Sequence, residues 1–203
     1  MCDGMGSRPH AQIGSQQACR AVEQALRLWS RNAGAPIEML LRLVHDIWSI
    51  QIYPHDKRDC ATTCLFAATC PDGRLVIAQL GDGLALIRRA DADPVVLSDR
   101  CDGFADQTTA LGMAKSIDDW RWHVDEVSRP GTAVLLASDG VADDLVPEKR
   151  LAFVDFLLEE FAVLPGQCRW RKLANELRKW PVPRHTDDKT LALFWRSQPV
   201  SSR

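Results

Sequence analysis

The sequence predicts an α+β fold in which helices cover antiparallel sheets. Three observations carry this. Apolar residues recur at helical spacing near the N-terminus, the middle of the chain shifts to period-two and continuous apolar segments, and the C-terminal part returns to helix before one last apolar strand. With 203 residues, 46% of them hydrophobic, the chain can bury one full core.

The elements follow in order. In IGSQQACRAVEQALRLWS, Ala18, Val22, Ala25, Leu26 and Trp29 lie on one helical face. In PIEMLLRLVHDIWSI the matching set is Ile37, Leu40, Leu41, Val44 and Trp48, with Pro36 suited to the first turn. TTCLFAAT and RLVIAQL read as strands joined by a Pro-Asp-Gly turn, and Gly-Asp-Gly leads into LALIRR. PVVL and WRWHVDEV read as further strands, and TAVLLAS is apolar enough to be buried on both faces. PEKRLAFVDFLLEEFAVL and CRWRKLANELRKW read as helices, KTLALFW as the last strand, and SQPVSSR as a tail. The domain is expected to span 1–196, with 197–203 as tail.

Composition excludes several classes. A net charge of -2 gives no bulk attraction to nucleic acid or an anionic membrane surface. No apolar run approaches the roughly 20 residues of a membrane helix, and no basic-then-apolar leader opens the chain. The seven cysteines, an odd number without CxxC spacing, read as small apolar side chains in a reducing cytoplasm. His45, His55, His123 and His185 show no metal-ligand spacing. Arg169, Arg171, Lys172, Arg178 and Lys179, with Trp170 and Trp180, read as a solvated helix face whose tryptophans pack on the sheet.

The acids are the informative residues. Asp-Gly occurs five times, and Asp72-Gly73 and Asp102-Gly103 read as turn and loop. Asp139 ends a strand apolar enough to be central, while Asp187 and Asp188 immediately precede the last strand. If these strands are antiparallel neighbours, their acids meet at one rim, and Asp3 in its glycine turn can join them. Carboxylates gathered in this way suit Mg²⁺ or Mn²⁺. Taken singly, each serves equally well as a capping or turn residue.

The motifs in this order resemble the PP2C (PPM) family of metal-dependent Ser/Thr protein phosphatases, in its compact bacterial form. CDGMGS resembles the family's Asp-Gly-x-Gly motif, ATTCLFAAT its Gly-Thr-Thr strand with Ala61 for the glycine, and IAQLGDGLALI its Gly-Asp-Ser hairpin. TTALG resembles the end of its flap, LLASDGVADDL its Ser-Asp-Gly strand end, and TDDKTLALFW its closing Asp-Asn-x-Thr motif with Asp188 for the asparagine. The resemblance implies a four-layer α-β-β-α sandwich with two Mn²⁺ or Mg²⁺ ions at one end. Asp3 would bridge them, the Gly4 carbonyl would reach one, and Asp139 and Asp187 would complete the ligands. Asp143 matches an acid of a third, weaker site, with Asp99 a further candidate, and Asp82 reads as structural. The implied reaction is hydrolysis of phosphoserine or phosphothreonine in a protein, with a cognate kinase as one candidate substrate, by a metal-activated water.

The resemblance also implies an N-terminally incomplete chain. The family's two leading strands, with their phosphate-binding arginine and an acidic ligand, have no counterpart here, nor does the strand entering Asp-Gly. Unpaired sheet edges and weakened metal binding are expected. The alternative function is a pseudophosphatase that keeps the fold as a protein-binding module. Arg8 and His10 read as loop residues before the first helix.

Overall fold

The computed structural model describes residues 1–32, 34–97, 109–125, 128–180 and 187–197. Helices α1 (Ala11–Trp29) and α2 (Ile37–Gln51) precede strands β1 (Cys64–Thr69), β2 (Leu75–Leu80), β3 (Leu84–Arg88), β4 (Val95–Leu97), β5 (Arg121–Asp125) and β6 (Ala133–Ala137). One turn of helix, α3 (Asp139–Ala142), then α4 (Arg150–Phe161), α5 (Gly166–Arg178) and β7 (Leu191–Trp195) complete the chain. Pro147–Lys149 forms a 3₁₀ turn ahead of α4 rather than its first turn.

The strands form two antiparallel sheets, β1-β2-β5 and β4-β3-β6-β7. Period-two alternation divides their side chains between layers. From β2, Val76, Ala78 and Leu80 join α1 and α2, whereas Leu75 and Ile77 face the second sheet. From β6, Ala133, Leu135 and Ala137 turn to α4, whereas Val134 and Leu136 face the first sheet. The result is helix, sheet, sheet, helix, as the sequence predicts.

The expected gaps are only partly present. Residues 1–5 lie antiparallel beside 61–65: Leu65 N–H donates to the Met1 carbonyl, Thr63 N–H to Asp3 and Met5 N–H to Ala61, at 2.8 to 3.1 Å. They cover part of the β1 edge. At the other side, β1 packs across β6, β2 across β3 and β5 across β4. β7 extends beyond, and its sandwich-side residues Ala192 and Phe194 are exposed. Asp99, Cys101, Asp102, Gly103, His185 and, apart from Ser197, the expected tail lie outside the described residues.

Candidate active site

Strand register sets the acids at one rim. Ala137 of β6 pairs with Leu84 of β3 and Leu191 of β7. Asp139 therefore leaves the sheet where Asp82 and Asp187–Asp188 enter it. Ser138 fastens the β6–β7 corner: its N–H donates to the Thr190 carbonyl, its hydroxyl donates to the Asp188 carbonyl, and it accepts from Thr190 N–H, each at 3.0 Å. Gly140 permits the close approach, because a Cβ there would stand 2.6 Å from the Asp188 carbonyl oxygen.

Asp3 arrives from the first sheet. Its carbonyl accepts from Thr63 N–H at 2.8 Å and Thr62 Oγ1 at 2.7 Å, and its N–H donates to Thr63 Oγ1 at 3.0 Å. Two consecutive threonines thus anchor the backbone. Gly4 bridges to Thr62, and a Cβ on Gly4 would stand 2.7 Å from the Ala11 carbonyl oxygen at the start of α1.

Asp3, Gly4, Asp139 and Asp187 line one cleft of about 340 Å³, together with Asp82, Asp188, Thr63 and residues 5–7. Burial, and then the charges of Asp139, Asp188, Asp82 and Asp187, raise the Asp3 carboxyl above the usual range. Asp139 Oδ1 accepts from Gly140 N–H at 2.7 Å. The donors are hard oxygens, the type Mg²⁺ and Mn²⁺ take. Among the described residues, no three acidic, histidine or cysteine side chains stand close enough to grip one ion between them. The donor type and common placement fit the ions; a closed ligand cage is not preformed.

Asp82 and Asp188 are the acids left off the sequence-derived site. Asp82 lies between Gly81 and Gly83, both at positive φ, a pattern that reads as turn chemistry. The signal for it was its place before β3, at the same rim. Asp143 follows α3 and is exposed, outside the cleft lining. Arg8 turns to Met113 Sδ at 3.7 Å, and the His10 ring lies 4.3 Å from that of His55. Neither lines the cleft. Trp170 departs from the predicted packing and is 70% exposed, whereas Trp180 Nε1 donates to Asp144 at 2.7 Å.

A family model for protein phosphatase 2C matches residues 1–180. No curated protein matches the sequence. Among solved structures, a bacterial serine phosphatase aligns with a TM-score of 0.65 at 18% identity, covering 98% of this chain and 86% of that one. The catalytic domain of the serine/threonine protein phosphatase PstP, in complex with 2 manganese ions, aligns at 0.58 and 20% identity, covering 95% and 84%. RsbX in complex with magnesium aligns at 0.55 and 15% identity, covering 95% and 77%.

Proposed function

The chain belongs to the protein phosphatase 2C family, and from that premise we propose that it hydrolyses phosphoserine and phosphothreonine in protein substrates at the acidic cleft. One observation carries the reading: among the described residues five aspartates line the cleft, and no lysine, arginine or histidine does. A phosphate monoester is an anion. Each unit charge brought within 4 Å of a carboxylate is opposed by about 4 kcal/mol at an effective dielectric of 20. Substrate therefore enters only with cations.

Asp3, Asp139 and Asp187, with the Gly4 carbonyl, would hold two Mn²⁺ or Mg²⁺ ions. Bound there, the ions would supply the Lewis acidity that activates water at neutral pH and offsets phosphoryl charge. The chain's own part is placement. Thr62 and Thr63 fix the Asp3 backbone, Gly140 N–H engages one Asp139 oxygen, and Ser138 holds the strand that delivers Asp187.

The domain on this reading is 1–196, and the substrate is a phosphorylated protein, with a partner kinase as one candidate. No helix among the described residues is long and apolar enough to cross a membrane. The free thiols of Cys60, Cys64 and Cys70 accord with a reducing cytoplasm. The comparisons lend the pseudophosphatase alternative no support. The test is Mn²⁺-dependent hydrolysis of a phosphothreonine peptide by this chain. Activity no higher than that of Asp139→Asn overturns the reading.

A further inference from the structure

The turn that edges the acidic cleft ends in a guanidinium with no anion beside it. Arg8 N–H donates to the Met5 carbonyl at 2.9 Å and closes the turn over Gly6 and Ser7. Met5, Gly6 and Ser7 line the cleft, so the Arg8 Cα stands about 3.8 Å from that of a lining residue. Its side chain is turned aside, with Nη2 3.7 Å from Met113 Sδ. A thioether sulfur is a weak acceptor. Arg8 Nε is buried and has no hydrogen-bond partner. Among the described residues, the side chain has no other hydrogen bond and no ion pair. An arginine held this way keeps most of its donors unspent, and a buried donor left unmade is costly. His10, two residues on, is already committed to the His55 ring.

We propose that Arg8 leaves Met113 and binds the phosphoryl oxygens of the substrate at the mouth of the cleft. The proposal rests on the phosphatase reading above and adds a substrate-binding residue to it. The planar fork of a guanidinium matches two phosphoryl oxygens through parallel hydrogen bonds. The exchange gives up one weak sulfur contact, makes charge-assisted bonds and frees Nε from unpartnered burial. Rotation about side-chain bonds is enough, because the backbone turn already follows the cleft wall. The contact recognises the phosphoryl group itself. It therefore serves a small phosphate monoester and a phosphopeptide alike.

Calorimetric titration of inorganic phosphate into the full chain with Mn²⁺ tests this without turnover. Arg8→Met keeps an apolar stem against Met113 and removes the fork. It is expected to bind phosphate about 10-fold more weakly than the parent, with a urea midpoint unchanged or higher because the orphaned donor is gone. Arg8→Lys keeps the charge as a single point and recovers part of the affinity. In hydrolysis, KM of Arg8→Met rises by the same factor for p-nitrophenyl phosphate and for a phosphothreonine peptide. Equal phosphate affinity in parent and Arg8→Met overturns the proposal, whether or not the parent hydrolyses the peptide. A KM change confined to the peptide overturns it too, because the contact would then lie outside the phosphoryl group. So does a urea midpoint that falls along with phosphate affinity, which would make Arg8 a structural residue of the turn. A parent that hydrolyses neither substrate, yet loses phosphate affinity on Arg8→Met, would overturn the proposed hydrolysis and leave this contact standing.

Discussion

α1 and α2 bury Trp29, Leu40, Leu41, Val44 and Trp48 to 1% exposure or less, whereas α5 has no buried residue. The difference begins in the sequence. α1 presents Gly14, Ala18, Ala21 and Ala25, small enough for α2 and the first sheet to close on it. α5 offers Leu173 and Leu177 among five basic residues in 168–180. The layer over the first sheet is therefore held by volume packing. The layer over the second relies more on directed bonds: the Arg169 guanidinium donates to the carbonyls of Phe161, Ala162 and Leu164 and lies 4.7 Å over the Trp195 ring. The acidic cleft draws on both halves, taking Asp3 from the packed one and Asp139, Asp187 and Asp188 from the open one.

The widest gap between the halves is expected from truncation. Trp48→Ala removes a fully buried ring and its bond to the Gly14 carbonyl, and costs about 4 kcal/mol in urea unfolding. Leu177→Ala, on the half-buried face of α5, costs about 1 kcal/mol because water already reaches the site. Equal costs would break the comparison. Next in size is the cation effect. On the proposed reading Mn²⁺ at 100 times its dissociation constant raises stability by about 2.7 kcal/mol, and Asp139→Asn loses most of that gain. An equal gain in the variant would place the ions elsewhere.

These contrasts were unequally legible in the sequence. The two sheets were readable because β2, β3 and β6 carry apolar runs bounded by Gly and Asp turns, and the β6–β7 rim followed from acids at opposite ends of apolar strands. Arg169 was read as part of a solvated face, because helical periodicity places a side chain on a face without showing that it folds back to cap α4. Asp82 was hidden by its glycines, whose turn role is real and does not exclude a place in the cleft. The pairing of residues 1–5 with 61–65 is non-local, and neither segment alone announces it. A substitution at the seam sharpens this further. Gly140→Ala puts a methyl 2.6 Å from the Asp188 carbonyl oxygen and costs about 2 kcal/mol as the segment shifts. Its Mn²⁺ response falls with it, whereas Gly6→Ala, where a Cβ meets nothing within 4 Å, leaves both unchanged.

The smallest expected effect couples the halves through charge. Asp3 belongs to the packed half, and burial first, then Asp139, Asp188, Asp82 and Asp187, raise its carboxyl above 3.8. A raised acid binds its proton more readily folded than unfolded. Its stabilising contribution is therefore present below the ordinary value and lost as pH rises through the raised one. In EDTA, this part of the unfolding free energy declines from about pH 4 toward neutrality, and Asp3→Asn flattens it. Saturating Mn²⁺ flattens it too, because a cation offsets the crowded charge that the open half contributes. Urea midpoints for both chains at pH 4.5 and 7, with and without Mn²⁺, measure the difference. A decline as steep in Asp3→Asn as in the parent chain would mean that the acids of the open half do not act on Asp3.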